Sequence, residues 1–226
     1  MKMADIKQII GQRAGMELTD GLVINLGIGI PGLVANYVPE GVDVTVHAEN
    51  GAVGIGPAPA PYCDDPDRAN AGGAPITLLP GGSYFDSATS FSMIRGGHVD
   101  MTFLGTLQVD GEGNIASYEI PGKLMPGMGG AMDLLVGAKT VYITTEHCSK
   151  DGKTKLLKKC TFPLTGAGEA DCIITERAVF RRHPGQGFVL EEVARGYTVD
   201  DIAACTDMDY TVSPNVKLDA YGPEPE

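Results

Sequence analysis

The chain lacks long apolar runs. Its 226 residues contain no stretch of about 18 or more consecutive apolar residues, the length that a membrane-spanning helix needs. Residues 1–7 mix charges with apolar side chains and lack the unbroken apolar core of a signal peptide. We therefore expect a protein without a membrane partner, located in the cytoplasm.

The chain is also poor in patterns that hold metals or disulfides. Its five cysteines are an odd number without a C-x-x-C pair, and its four histidines show no metal-ligand spacing. Such a set suits reduced thiols better than a disulfide framework or a zinc site, so we predict no bound metal. These residues are Cys63, Cys148, Cys160, Cys172 and Cys205, with His47, His98, His147 and His183.

Positive charge is scarce. The 17 Lys and Arg residues are outnumbered by 29 Asp and Glu residues, and the formal net charge is −12. This balance argues against general binding to nucleic acid or anionic membranes, although a local field can still bind phosphates. One basic segment fits either a solvated basic face or a contact for cofactor phosphates. It contains Lys150, Lys153, Lys155, Lys158 and Lys159.

Short apolar segments alternate with helical patterns along the chain. Strands are predicted over 22–26, 42–47, 75–79, 99–104, 140–145 and 171–175, with a short piece over 114–118. Helices are predicted over 4–18, 31–38, 86–95 and 131–136. The alternation predicts an α/β fold with helices on the faces of a mixed sheet. We predict one domain over 1–212 and a loosely ordered tail over 213–226, which contains three prolines.

The most informative segment is 44–57, where a strand-like run leads a single carboxylate, Glu49, into a glycine-rich turn. A glutamate can act as a nucleophile without a partner base, because it is already ionised at neutral pH. The following Asn50-Gly51 pair, with Gly54 and Gly56, gives an open backbone that a bulky thioester could approach. The alternative is that these glycines only serve tight turns. His47 lies two residues before Glu49, so both side chains should point to one face of a strand.

A competing interpretation starts from Gly27-x-Gly29-x-x-Gly32, which satisfies the dinucleotide-binding fingerprint and follows a predicted strand. Glu49, seventeen residues after Gly32, would then bind a ribose hydroxyl, and the protein would be an oxidoreductase. A ribose-binding acid, however, needs no glycine-rich turn after it. Both interpretations remain open on the residues alone.

A second glycine-rich loop, 127–133, leads directly into an apolar helix. Backbone amides at such a position can stabilise developing negative charge, although a plain helix start is an equal alternative. Gly152-Lys153-Thr154 is similar to the end of a phosphate loop, but His147 stands where that motif requires its first glycine. We therefore discard the phosphate-loop interpretation.

Eight sequence blocks, in one order, resemble the beta subunit of family I coenzyme A transferases of the acetate or butyrate:acetoacetate and succinyl-CoA:3-oxoacid types. One departure is Ala48, where members commonly carry serine before the glutamate; the carboxylate itself is kept. The blocks are NLGIGIP (25–31), ENG (49–51), IRGGHVD (94–100), LGTLQV (104–109), PGK (121–123), GMGGAMD (127–133), EHC (146–148) and CTFPLT (160–165).

The resemblance implies an open three-layer α/β fold with a mixed, mainly parallel sheet, and a site shared with a separate alpha subunit in a heterodimer or heterotetramer. It implies that Glu49 is the covalent nucleophile in CoA transfer between acyl-CoA and small carboxylic acids. CoA thioester would be a substrate, with no permanently bound cofactor, and acyl-CoA hydrolysis is the side reaction to be avoided. Candidate oxyanion or CoA-binding residues are Asn50, Gly51, Gly27, Gly29, Gly105, Gly127, Gly129, Gly130 and Ala131.

Overall fold

The computed structural model describes residues 3–125 and 127–223. The helices are α1 (Met3–Gly15), α2 (Ser87–Arg95), α3 (Ala131–Gly137) and α4 (Val199–Ala204), with a 3₁₀ helix at Pro31–Tyr37. The strands are β1 (Val23–Leu26), β2 (Thr45–Ala48), β3 (Ala52–Ile55), β4 (Leu78–Tyr84), β5 (Met101–Leu104), β6 (Gln108–Asp110), β7 (Ile115–Ala116), β8 (Thr140–Thr144), β9 (Leu156–Leu157), β10 (Cys172–Ile174), β11 (Ala178–His183), β12 (Gly187–Val193) and β13 (Thr211–Lys217).

Ten strands form one mixed sheet in the order β13-β12-β11-β10-β8-β5-β1-β2-β3-β4. Its centre, from β10 to β2, is entirely parallel, and β12 and β13 also pair in parallel. The remaining neighbours are antiparallel. Strands β7, β6 and β9 form a separate three-stranded sheet. The predicted mixed, mainly parallel sheet is confirmed.

The large sheet is covered on both faces, which confirms the three layers. On one face, Ile10 of α1 and Val34 of the 3₁₀ helix pack in a core with Tyr142 of β8. On the other face, α2, α3 and α4 share a second core with residues from the same strand, Val141 and Ile143. The two cores take alternate residues of β8 because successive strand side chains point to opposite faces.

Most predicted elements are present, with shorter extents. The predicted helix over 4–18 ends earlier, at Gly15, where a Cβ would lie 2.5 Å from the Tyr37 carbonyl oxygen. The helix predicted over 31–38 is the 3₁₀ helix. The strand predicted over 75–79 overlaps β4 only at its end, because Ala74 and Ile76 pair with the preceding loop through Asn70 and Arg68.

The C-terminal segment continues the sheet beyond the predicted domain boundary at 212. Residues 213–217 belong to β13, and Tyr221 is buried with its hydroxyl donating to the Thr175 carbonyl oxygen at 2.8 Å. Residues 224–226 of the predicted tail lie outside the described residues. The division at 212 stays a prediction.

Among the described residues, no helix has the length and apolar character that crossing a bilayer requires. The longest, α1, has 13 residues.

Candidate functional site

The candidate site lies at one edge of the sheet, where parallel strands end. Glu49 directly follows β2, Gly27 follows β1 and Gly105 follows β5. These three strands are neighbours in the order β5-β1-β2 and run in the same direction, so their carboxyl ends meet at one edge. This edge is where open α/β sheets bind ligands.

A tight turn between β2 and β3 holds Glu49. The flanking residues Ala48 and Ala52 face each other in the antiparallel pair, and the Gly51 amide donates to the Ala48 carbonyl oxygen at 3.0 Å. Gly51 has a φ of +125°, and a Cβ there would lie 2.1 Å from the Phe85 carbonyl oxygen. Only glycine fits this position, and the turn is held further because the Phe85 amide donates to the Gly51 carbonyl oxygen. Glu49 therefore stands on a well-braced turn.

Asn25 of β1 contacts the Glu49 carboxylate. Its Nδ2 donates to Glu49 Oε2 at 3.1 Å and to the His47 carbonyl oxygen at 3.2 Å. Asn25 is buried, whereas Glu49 is only partly buried. The sequence alone assigned Asn25 no function. Its position as the one amide side chain within an otherwise apolar strand is the signal that could have identified it as a site residue.

His47 lies buried beneath the same turn. Its Nε2 is 3.0 Å from Ser90 Oγ of α2, and its ring stacks on Phe85 with centroids 6.2 Å apart. Burial lowers the pKa of His47, and the nearby charge of Glu49 opposes that shift. As predicted, His47 and Glu49 lie on the same side of the sheet, since the Asn25 amide reaches both residues.

The glycine-rich loop over 127–133 reaches Glu49 at Gly130. A Cβ at Gly130 would lie 2.8 Å from Glu49 Cγ and 3.3 Å from Phe91 Cζ, so the backbone approaches the carboxylate side chain closely. Gly129 precedes it with a φ of +51°. The Ala131 amide already donates to the Met128 carbonyl oxygen at 3.0 Å, so it is not free to donate to an oxyanion. Residue 126 lies outside the described residues.

Other predicted site residues have different surroundings. The Asn50 side chain donates to the Ala69 carbonyl oxygen at 2.7 Å, and the Gly27 amide donates to the Phe103 carbonyl oxygen at 2.9 Å. A Cβ at Gly29, Gly105 or Gly127 would meet no atom within 4 Å beyond the neighbouring residues. These three glycines therefore border open space.

The dinucleotide interpretation is not supported by this geometry. The fingerprint requires an α-helix whose first amides bind the pyrophosphate, but a 3₁₀ helix follows the Gly27 loop and begins at Pro31, which has no amide hydrogen. Glu49 lies in the β2–β3 turn with its carboxylate bonded to Asn25. Gly27 and Gly29 lie in the turn after β1, and Gly32 lies within the 3₁₀ helix.

The basic segment is mostly solvent-exposed. Only Lys155 is partly buried; its Nζ donates to Thr145 Oγ1 at 3.1 Å, and burial lowers its pKa. Lys153 lies 3.6 Å from Asp151. Among residues 3–125 and 127–223, no cluster of three or more His, Cys, Asp or Glu side chains is arranged to hold a metal ion.

Comparison with known proteins gives one consistent family. The family described as "Coenzyme A transferase" matches residues 7–204. The chain is 48% identical over 212 residues to the beta subunit of acetate CoA-transferase from Escherichia coli K12, covering 94% of this chain and 96% of that protein. It is also 48% identical over 217 residues to human mitochondrial succinyl-CoA:3-ketoacid coenzyme A transferase 2, covering 96% of this chain and 42% of that protein.

Two solved structures of CoA-transferases have a similar fold. An acyl-CoA transferase apoenzyme from Escherichia coli O157:H7 has a TM-score of 0.76 at 26% identity, covering 96% of this chain and 44% of that one. Glutaconate coenzyme A-transferase from Acidaminococcus fermentans, with a TM-score of 0.71 at 15% identity, shares the fold. The chain thus spans nearly all of the bacterial relative and less than half of the longer ones.

Proposed function

The chain belongs to the coenzyme A transferase family as a beta subunit, and from this premise we propose that Glu49 is the nucleophile of CoA transfer. The donor is a short-chain acyl-CoA or 3-oxoacyl-CoA, and the acceptor is a small acid such as acetate, butyrate, acetoacetate or succinate. The names of the bacterial and human relatives, which cite acetate and succinyl-CoA with a 3-ketoacid, support this substrate range.

The reaction proceeds through two kinds of covalent intermediate, a mixed anhydride and a thioester. The Glu49 carboxylate attacks the acyl carbonyl of the donor, which gives a mixed anhydride and expels the CoA thiolate. The thiolate then attacks the glutamyl carbonyl, releases the first acid and leaves a glutamyl-CoA thioester. An incoming acid reverses both steps and leaves as its own CoA ester. Because one thioester replaces another, no ATP is needed. The kinetics are ping-pong because the first acid leaves before the incoming acid reacts with the glutamyl-CoA thioester.

The observation that carries this proposal is the contact of Glu49 with two groups from distant parts of the chain. Asn25 donates to Oε2, which leaves Oε1 to attack. Gly130 has no side chain, so its backbone comes within van der Waals reach of Glu49. We assign the amides of Gly129 and Gly130 as donors to the oxyanions that form on either side of the anhydride, because fixed donors next to the reacting carbonyl lower the barrier.

A CoA-transferase alpha subunit completes the site in our proposal. The chain matches almost the whole of a bacterial subunit named beta, but only 42% of the human relative. The alpha subunit would supply the remaining part, in a heterodimer or heterotetramer, and CoA enters only as substrate. An apolar side chain beside the site, Ile28, is 77% exposed in the isolated chain. The cytoplasmic location stays a prediction.

Mass spectrometry tests the covalent step. The two-subunit enzyme is mixed with acetoacetyl-CoA, and we expect a CoA-sized adduct on the Glu49 peptide that acetate discharges. The Glu49→Gln variant should form no adduct and exchange no CoA, while still assembling with the alpha subunit. Glu40→Gln, a change at an exposed glutamate, is the matched control and should behave like the wild type.

Three results would contradict the proposal. Exchange at the wild-type rate in Glu49→Gln would remove the nucleophile assignment. Release of free CoA without exchange would indicate an acyl-CoA hydrolase, in which water reaches the anhydride. Neither adduct nor exchange, together with a nicotinamide or flavin absorption spectrum, would indicate an oxidoreductase.

A further inference from the structure

Four side chains form a continuous polar row beneath the proposed nucleophile. Ser90 Oγ of α2 is 3.0 Å from His47 Nε2, His47 Nδ1 is 3.4 Å from Asn25 Nδ2, and that Nδ2 is 3.1 Å from Glu49 Oε2. Asn25 and His47 are direct partners in the parallel register of β1 and β2. Ser90, His47 and Asn25 are each at most 1% exposed.

The surroundings of Asn25 determine which way its amide points. The groups around Nδ2 are the His47 carbonyl oxygen, the Glu49 carboxylate and His47 Nδ1. If the amide were reversed, its oxygen would face two other oxygens, one of them charged. The nitrogen therefore faces Glu49, and Asn25 can only donate in this direction.

The orientation of the Asn25 amide also determines which nitrogen of His47 carries the proton. The two hydrogens of Asn25 Nδ2 go to Glu49 Oε2 and the His47 carbonyl oxygen, so Nδ2 offers His47 Nδ1 no acceptor. At 3.4 Å from this donor nitrogen, Nδ1 carries a lone pair and the proton of the neutral ring is on Nε2. Nε2 then donates to Ser90 Oγ. A second proton on Nδ1 would set two donors against each other and push the Asn25 amide away from Glu49.

We infer that His47, neutral and bonded to Ser90, is a positioning residue that holds the Asn25 amide and through it one oxygen of Glu49. This inference rests on the proposed role of Glu49 as nucleophile. His47 does not touch the substrate in this arrangement; it acts through Asn25. The rate should depend on His47 because a misplacement of about 1 Å at a reacting group costs about 100-fold.

The charges around the ring favour its neutral form. The neighbours of His47 from β1 (Asn25), α2 (Ser90) and the segment before α2 (Phe85) are uncharged, and so is its β3 partner Val53. Among the described residues, the only charged group that shifts the pKa of His47 is Glu49. The carboxylate raises this pKa, but burial of the ring lowers it by more. The charged residues of α2 and α3 are engaged elsewhere, because Arg95 pairs with Asp133 at 2.6 Å. Asp86, which caps the start of α2, accepts from the Thr89 amide at 2.7 Å.

Substitutions at position 47 test the contributions of the two ring nitrogens separately. His47→Asn keeps an acceptor near Nδ1, His47→Gln keeps a donor near Nε2, and His47→Leu keeps neither. In the two-subunit enzyme, we expect His47→Leu to lower kcat about 10- to 100-fold with KM for acetoacetyl-CoA changed less than threefold. His47→Asn should recover most of this loss, and His47→Gln less. His98→Asn, at an exposed histidine, is the matched control and should match the wild type.

The pH profile is the readout that a merely structural role would not move. As the pH falls, His47 takes up a proton and the wild-type kcat should decline; in His47→Asn, which cannot titrate, the decline should begin at a lower pH. Superimposable profiles, or equal kcat in His47→Leu and the wild type, would overturn the inference. Should His47→Leu not fold, Ser90→Ala removes the partner of Nε2 and should lower kcat about 3- to 10-fold; unchanged kcat there would also overturn it.

The adduct experiment distinguishes this inference from the proposed function. If the wild type forms the Glu49 adduct and His47→Leu forms it as fast, only the positioning role of His47 fails. If the wild type forms no adduct, the nucleophile assignment fails, and the positioning role falls with it.

Discussion

Replacing Gly130 by alanine tests how closely the 127–133 loop approaches the nucleophile. The added Cβ would lie 2.8 Å from Glu49 Cγ, whereas ordinary van der Waals contact begins at 3.4 Å, so one of the two groups must move by about 0.6 Å. Phe91 Cζ, at 3.3 Å from the same position, limits movement in the other direction. The Glu49 side chain can rotate more easily than the backbone can shift, so we expect the carboxylate to be displaced.

The expected loss follows from that displacement. Since a misplacement of about 1 Å costs about 100-fold in rate, we expect Gly130→Ala to lower kcat about 10- to 100-fold. This corresponds to about 1.4 to 2.7 kcal/mol of activation free energy. The melting temperature should change little, because the clash is with a partly buried side chain and not with the backbone of a strand.

The assay is CoA exchange from acetoacetyl-CoA to acetate by the two-subunit enzyme, with thermal unfolding of each variant. Gly32→Ala is the tolerant control, because its Cβ would meet the Gly27 carbonyl oxygen at an ordinary 3.5 Å. Gly137→Ala is the opposite control: its Cβ would lie 2.4 Å from the Ile94 carbonyl oxygen, so stability should fall while the folded fraction keeps its kcat. A Gly130→Ala enzyme within threefold of the wild-type kcat would refute this reasoning.

Two further predictions concern stability. Burial lowers the pKa of His147 to about 3. Below a pH of about 6.5, the unfolded chain therefore binds a proton at this residue that the folded chain does not. From this residue alone, the free energy of unfolding should fall by about 1.4 kcal/mol per pH unit towards pH 3. Urea unfolding between pH 6.5 and 4.5 should therefore give a shallower pH dependence for His147→Gln, and equal slopes would disprove the assignment. Gly51→Ala should destabilise the chain by about 2 to 5 kcal/mol, because it combines a φ of +125° with a 2.1 Å clash; a wild-type melting temperature would contradict this.

The local features of the site could be predicted because they depend on neighbours in sequence. Apolar segments that are too short for a buried helix predict strands such as β5 and β8. The Asn50-Gly51 pair after an apolar run predicts a turn that presents Glu49, and Gly51 indeed has a backbone conformation that favours glycine. The resemblance to coenzyme A transferases then added the activity that such a glutamate performs.

Other features had no local signal. The β11–β12 hairpin, α4 and β13 lie beyond residue 175, where the sequence pattern predicted no element, and only pairing with neighbouring strands and packing against the core define them. The limits of β4 likewise depend on pairing of residues 74–76 with the preceding loop. Short strands have weak patterns of their own, and their partners decide whether they form.

The sequence by itself determined the α/β class, the candidate nucleophile Glu49 and the turn that holds it, because periodicity and glycine chemistry act over a few residues. Only the tertiary structure decided what surrounds that carboxylate. Asn25, Ser90 and Gly130 are 24, 41 and 81 residues away from Glu49 in the sequence, yet they meet it directly or through His47. Such contacts are created by the order and register of β1 and β2 and by the helices packed on them, which no local pattern specifies.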